Sequence, residues 1–179
     1  MTVTLRALCW LTAAAFSNSV CALSPVLLKQ GINPLDINDD GRQDYVVVAQ
    51  FDNNTSHPNL GLTFFVDRGD GGLSIMPVAN SERFTWFDYR LSADAEFLVE
   101  DNQLFRRGNT FWLINAEKKG ESPYDRNPFQ LSYYRFTQSD DDPGVPLYQW
   151  SLMKKTITQN SYDSATQAWA EVDERDLQP

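Results

Sequence analysis

Apolar and polar residues alternate over short distances along most of this chain, which is the pattern of half-buried β-strands. Segments rich in Val, Phe, Tyr, Trp and Thr are separated by Gly, Pro, Asn and Asp, which favour turns. The pattern predicts strands at residues 26–30, 44–51, 61–66, 73–78, 84–92, 97–100, 111–116, 129–137, 147–158 and 167–172. The predicted fold is therefore all-β, a single sandwich-like domain of antiparallel strands with little helix.

Several segments refine this prediction. Residues 45–49 are apolar without interruption, which predicts a central strand covered on both faces. Residues 92–100 carry the best helical signal, with Ser92 as a candidate cap, and an α+β fold is therefore the alternative.

The Arg-Gly-Asp-Gly-Gly run at residues 68–72 predicts a hairpin turn rather than an adhesive site. Residues 171–179 predict a frayed tail.

The first 22 residues have the order of a secretory signal peptide. A single basic residue, Arg6, precedes an apolar run at residues 7–16, and small residues lead to Ala22. That run is about half as long as a helix that spans a bilayer. We therefore predict cleavage after Ala22, export to the periplasm and no membrane span, with lipidation at Cys21 as a minor alternative. The remaining residues 23–179 are enough for one domain.

Charge and cysteine content narrow the function classes. Cleavage removes Cys9 and Cys21, so the mature chain has no disulfide and depends on its core or on bound ions. It also removes Arg6, which leaves 14 basic against 24 acidic residues, a net charge of −10. Basic residues cluster only as pairs, such as those at 118–119 and 154–155, so nucleic acid is not a predicted partner.

Residues 36–44 carry the most specific polar pattern, with oxygen-bearing side chains at alternate positions around a glycine. The candidate metal ligands are Asp36, Asn38, Asp40, Arg42 through its backbone carbonyl, and Asp44. Calcium takes about six to eight oxygen ligands, and a short loop of this spacing can supply most of them. We predict a structural calcium site. The alternative is a solvated acidic turn that uses Asn, Asp and Gly for their turn propensities.

Two further patterns are candidates for catalysis. His57 could act with Asp52 as an acid and base or as part of a second metal cluster, but we favour the interpretation of a polar loop between two strands. A single histidine excludes a zinc centre of several histidines within one chain. Ser151 and Lys154 have the spacing of the serine β-lactamases, which functions on a helix. Because their segment is predicted as a strand, we interpret the match as chance and predict no catalytic residue.

The segment at residues 31–66 has a family resemblance. The run GINPLDINDDGRQD at residues 31–44 leads into a Val-rich strand and then FDNNTSHP at 51–58. With the export signal, this resembles the carbapenem intrinsic-resistance proteins of the CarG type, periplasmic proteins that protect a carbapenem-producing bacterium from its own antibiotic. The resemblance implies resistance without a recognisable hydrolase, in concert with a second exported immunity protein.

The sequence thus supports a periplasmic, non-enzymatic immunity protein. Its candidate partners are the second immunity protein, a cell-wall target and the carbapenem itself. A hypothesis of a different class is an exported calcium-binding adhesion or interaction module. Calcium-dependent melting without any change in antibiotic susceptibility would favour that module. A hydrolase centred on His57 and Asp52 is the third hypothesis, and wild-type behaviour of His57→Ala would remove it.

Overall fold

Two antiparallel β-sheets make up most of the computed structural model, which describes residues 22–52, 54, 57–91, 94–139 and 143–177. The strands are β1 (Ser24–Pro25), β2 (Gly31–Leu35), β3 (Asp44–Phe51), β4 (Asn59–Asp67), β5 (Leu73–Ile75), β6 (Trp86–Phe87), β7 (Tyr89–Leu91), β8 (Asp94–Arg107), β9 (Thr110–Lys118), β10 (Phe129–Gln138) and β11 (Tyr148–Ile157). The predicted all-β fold of antiparallel strands is confirmed.

Apart from β1, the strands divide between the sheets by position in the chain. The larger sheet has the order β1-β8-β9-β10-β11, with β7 also paired to β8, and the smaller has the order β2-β3-β4-β5, with β6 paired to β4. The turn between β4 and β5 is the predicted hairpin, closed by a bond of 3.0 Å from the Arg68 N–H to the Gly72 carbonyl. Gly69 and Gly71 have φ of +78° and +85°, which glycine adopts without strain.

The main core consists of aromatic and aliphatic side chains drawn from both sheets. Phe64 of β4 packs edge-on against Trp150 of β11, with ring centroids 5.0 Å apart. Val46 of β3 and Leu113 of β9 are fully buried in the same cluster. The alternation of buried and exposed positions along these strands places one face of each sheet in this core.

Strand β3 has the predicted place in its sheet but not the predicted burial. It lies between β2 and β4, so the prediction of a central strand is confirmed. Val46 and Val48 are buried, whereas Tyr45 and Val47 are half-buried. The prediction of cover on both faces is therefore wrong, because the described residues leave the outward-facing side chains of Tyr45 and Val47 partly exposed.

The C-terminal segment covers part of the other face of the larger sheet. It comprises helix α1 (Ala165–Ala168) and two 3₁₀ turns, Trp169–Glu171 and Glu174–Leu177. Ala165, Ala168 and Leu177 are buried in a second cluster with apolar residues of β8, β9 and β10. The predicted strand at residues 167–172 and the predicted frayed tail are therefore wrong.

Strand β8 is much longer than the sequence predicts. It begins at Asp94, so a helix over residues 94–100 is wrong, while Ser92 and Ala93 lie outside the described residues. Asn102 in its middle is buried and accepts a bond of 3.0 Å from the Asn115 side chain on β9. In the part of the chain that the structure describes, no helix has the length and apolar character to cross a membrane.

Candidate functional site

The loop between β2 and β3 brings together four of the five residues predicted as metal ligands. The Asp36 carboxylate accepts hydrogen bonds from the backbone N–H groups of Asp40, at 3.1 Å, and Gly41, at 2.9 Å. The Asn38 amide donates to the Asp40 carboxylate, which also accepts the Arg42 N–H and pairs with the Arg42 guanidinium. Burial is the largest single effect on the pKa of Asp40 and raises it, but these hydrogen bonds and the charge of Arg42 together hold that pKa below its usual value.

The fifth predicted ligand, Asp44, has a different set of contacts. Its carboxylate is fully buried and accepts the N–H groups of Ile37, at 2.7 Å, and Asp67, at 2.8 Å. Burial raises its pKa, and the charge of Asp40 raises it further, while the two backbone bonds oppose the shift. Asp44 thus clamps the start of the loop to the end of β4.

Among the described residues, no three His, Cys, Asp or Glu side chains are grouped so that they could hold a metal ion. The oxygens of Asp36 and Asp40 instead accept backbone N–H groups, and the Arg42 guanidinium lies where a cation would compete for Asp40. Calcium binding by Asp36, Asn38, Asp40, Arg42 and Asp44 stays a prediction.

The calcium prediction has a direct thermal test. Asp40→Ala is expected to lower the melting temperature in millimolar calcium but not in excess chelator, because only the ion-bound state loses a ligand. Asp70→Ala is the matched control, since Asp70 also pairs with an arginine and accepts a backbone N–H in a turn. An equal loss for Asp40→Ala in both conditions would refute the calcium site.

The two candidate catalytic patterns are not assembled in the structure. The Asp52 carboxylate accepts the Asn54 N–H at 2.8 Å, and no hydrogen bond joins it to His57 among the described residues. Ser151 and Lys154 both lie on β11, as predicted from its strand pattern. The Ser151 hydroxyl is 2.6 Å from that of Thr137, and the Lys154 amine is 2.6 Å from the Asp176 carboxylate.

A cleft at one end of the sandwich is a candidate binding site that the sequence pattern did not indicate. It has a volume of about 570 Å³ and lies where β6 and β7 meet β8, β9 and β10. Trp86 and Tyr134 meet edge-on in its wall, with ring centroids 5.1 Å apart. Phe51 and Phe87 form a second edge contact at 6.0 Å. A volume of this size is in the usual range for small-ligand sites.

The strands β6 and β7 are fixed at the cleft by three specific contacts. The Asp88 carboxylate accepts the Leu60 N–H at 2.7 Å and pairs with Arg90 at 2.9 Å. The Asn102 amide donates to the Phe87 carbonyl at 2.9 Å. At Gly61 a Cβ atom would lie 2.7 Å from the Thr85 side chain and 3.0 Å from the Phe87 ring, so only glycine lets β6 approach β4 this closely.

The polar groups of the cleft are mainly acidic. Glu100 accepts a bond of 2.9 Å from Asn115, and burial raises its pKa, with a further contribution from Glu117 on β9. Arg83 and Lys119 oppose this shift through their positive charges. Glu100 and Glu117 are directly opposed across β8 and β9, a pairing that repels when both are ionised.

A separate carboxylate, Asp101, lies beside the C-terminal segment. It accepts the Asn102 N–H at 2.8 Å and the Trp169 indole N–H at 3.3 Å. Burial raises the pKa of Asp101 to about 6, and the charge of Asp88 adds to the shift while Arg90 opposes it. Because the raised pKa means that the folded protein binds a proton more tightly than the unfolded chain, ionisation of Asp101 destabilises the fold.

Asp101 therefore gives a testable pH dependence. Since its pKa is about 6 when folded and about 4 when unfolded, its contribution to stability is present below pH 4 and is lost as the pH rises through 6. Relative to Asp101→Asn, the wild type should lose about 2 to 3 kcal/mol of unfolding free energy between pH 4 and pH 8. Urea denaturation across this range measures the difference, and parallel curves would contradict the assignment.

Comparison with known proteins shows where this fold belongs. A family model described as carbapenem resistance protein CarG-like matches residues 28–171. The crystal structure of CarG is 60% identical in sequence, with a TM-score of 0.84 over 87% of this chain and 99% of that chain. No curated protein matches the chain. The resemblance predicted from residues 31–66 is confirmed, and the chain belongs to the CarG-like family of carbapenem resistance proteins.

Proposed function

We propose that this chain acts in the periplasm and protects a carbapenem-producing bacterium from its own antibiotic without hydrolysing it. The observation that carries the proposal is membership of the CarG-like family, together with the 60% identity to CarG. The proposal also includes non-hydrolytic action, export and the choice of partner.

Non-hydrolytic action is supported by the contacts of the residues that would perform hydrolysis. A serine β-lactamase needs the lysine amine beside the serine hydroxyl, on one turn of a helix. Here Ser151 is hydrogen-bonded to Thr137, and Lys154 is paired with Asp176. The chain also has a single histidine, His57, which cannot by itself build a metallo-β-lactamase centre.

Export is supported at the predicted cleavage point. The Leu23 main-chain nitrogen lies 2.9 Å from the Glu174 carboxylate. Cleavage after Ala22 would convert that nitrogen into an α-ammonium group, and its pairing with Glu174 would then be charge-assisted. The family match, residues 28–171, also lies wholly downstream of the predicted signal.

The clefts favour a partner other than the antibiotic. A carbapenem carries a carboxylate, so a net positive charge in a cleft would favour its binding. The cleft beside Lys154 and Arg175 also contains three acidic residues, Glu171, Asp173 and Asp176. In the cleft lined by Trp86 and Tyr134, called the aromatic cleft below, Glu100 offsets the charge of Arg83, and Asp88 is paired with Arg90. We therefore propose that protection works through a second exported immunity protein or a cell-wall target.

Susceptibility testing of a carbapenem-sensitive host is the direct experiment. Expression of the full chain should raise the minimal inhibitory concentration of a carbapenem several-fold. Where protection requires a second immunity protein, that protein of a producing strain is expressed together with the chain. A matched chain without residues 2–22 should give no protection, because it stays in the cytoplasm. Equal protection by both chains would refute periplasmic action. If neither chain protects and the purified protein melts in a calcium-dependent way, the alternative of an exported calcium-binding interaction module would be favoured.

A further inference from the structure

Three aromatic side chains at the mouth of the aromatic cleft are exposed to solvent. Phe51 is 54% exposed, Tyr89 is 53% exposed and Phe87 is 37% exposed, and all three line one mouth. A cluster of solvent-exposed aromatic side chains is typical of a surface that binds a partner molecule. Trp86, deeper in the wall, is 7% exposed, and its indole N–H has no acceptor among the described residues.

Glu100 is a carboxylate in the lining of the cleft that has no ion-pair partner among the described residues. Glu100 has one oxygen bonded to Asn115, and among the described residues its second oxygen accepts no hydrogen bond. The charge of Glu117 lies directly across the strand pair. Lys119 is paired with Glu117, and Arg83 at the edge of the cleft attracts Glu100 from beyond ion-pair distance. A cation that enters can therefore pair directly with Glu100.

Aromatic walls and the unpaired Glu100 carboxylate together select a cation with an apolar stem. A guanidinium or ammonium group is attracted to the faces of Trp, Tyr and Phe, and more strongly where water is excluded. The chain has a formal net charge of −9, which attracts basic partners at long range. Asp88 is not the anchor, because Arg90 already occupies it.

From these features we infer that the cleft is a docking site for a basic side chain, arginine or lysine, of a partner protein. The exposed rings of Phe51, Phe87 and Tyr89 form the rim, and Glu100 is the anchor at the base. Protein interfaces are enriched in such aromatic side chains, and arginine is a common energetic centre of them. The inference concerns binding alone and holds independently of the cell compartment in which the protein acts.

Nuclear magnetic resonance with the purified protein tests this inference. The probe is Nα-acetyl-arginine amide, and its control is the citrulline analogue, which has nearly the same shape and no charge. The arginine probe should shift the Trp86 indole N–H signal with a millimolar Kd, and the citrulline probe should not. Glu100→Gln should weaken binding about tenfold, since the charge pair is lost.

Three further variants separate docking from damage to the fold. Tyr89→Ala should weaken binding about threefold without affecting folding, because the ring is exposed. Arg83→Gln should strengthen it, since a competing cation is removed. Asp101→Asn is the matched control, because Asp101 contacts Trp169 rather than lining this cleft, and it should leave binding unchanged.

Three results would overturn the inference. Equal shifts with the arginine and citrulline probes would show that charge does not matter. A Trp86 signal that moves with protein concentration in the absence of probe would assign the cleft to a second copy of the chain. Stronger binding of tetramethylammonium than of the arginine probe would assign it to a small free cation.

Discussion

Trp150→Ala is expected to lower the free energy of unfolding by about 3 to 5 kcal/mol, as large-to-small changes of buried aromatic residues do. Trp150 is 2% exposed and packs edge-on against Phe64, with a second ring contact to Phe136 at 6.3 Å. Its removal leaves a cavity between the two sheets, where few side chains can move in to fill it. Urea denaturation at neutral pH measures the change.

Trp150→Phe is the matched control for this prediction. The Trp150 indole N–H has no hydrogen-bond acceptor among the described residues, so phenylalanine loses packing area but no hydrogen bond. We expect a cost of about 1 to 2 kcal/mol, well below that of alanine. Equal costs for the two variants would show that the indole N–H, and not the ring volume, stabilises the core.

Asp44→Ala is expected to have the second largest effect, a loss of about 2 to 4 kcal/mol. The substitution leaves the N–H groups of Ile37 and Asp67 without their acceptor, and each such loss costs about 1 to 3 kcal/mol when the group is buried. A loss of this size should already be present in excess chelator, because this carboxylate stabilises the loop through backbone contacts that need no ion. Chemical denaturation in both buffers measures it.

Two control variants, Asp44→Asn and Asp36→Ala, should each lose less stability than Asp44→Ala. Asparagine keeps one carbonyl acceptor and should cost less than alanine. Asp36 accepts two N–H groups like Asp44, but they lie in an exposed turn where water can replace the carboxylate, so Asp36→Ala should cost about 1 kcal/mol or less. An Asp44→Ala variant no less stable than Asp36→Ala would contradict the clamp.

The strands that sequence predicted well are long and rich in aromatic and β-branched residues. The predicted strand at 129–137 coincides with β10 to within one residue, and Phe129, Leu131 and Tyr133, spaced two apart, are buried in it. The strand β2 was missed because Gly31 and Pro34 disfavour strands. It lies at the edge of its sheet, where proline is tolerated.

The C-terminal helix was missed although a helical signal was present. Ala165, Ala168, Trp169 and Val172 are spaced as one face of a helix, and all four contribute to the cluster beneath the larger sheet. The segment is short, and its aromatic and β-branched residues suggested a strand instead. In so short a segment, packing against the sheet decides the conformation more than local propensity does.

The candidate site shows a different limit of sequence reasoning. The loop at residues 36–44 could be found because its residues are contiguous. The aromatic cleft could not, because Phe51, Trp86, Glu100 and Tyr134 come from four separate strands of two sheets. The one local signal was a run of polar residues in the middle of β8, where Glu100 and Asn102 bond to Asn115 in place of apolar packing.

The most direct test of protection without hydrolysis is to measure the carbapenem itself in cultures that survive it. Sensitive cells that express the full chain, with its immunity partner where needed, are exposed to a lethal dose, and intact drug is quantified by liquid chromatography over several hours. We expect survival with drug loss no faster than in a culture carrying the empty vector. Survival accompanied by faster loss of the intact β-lactam ring, and abolished by Ser151→Ala or His57→Ala, would contradict the proposed mechanism.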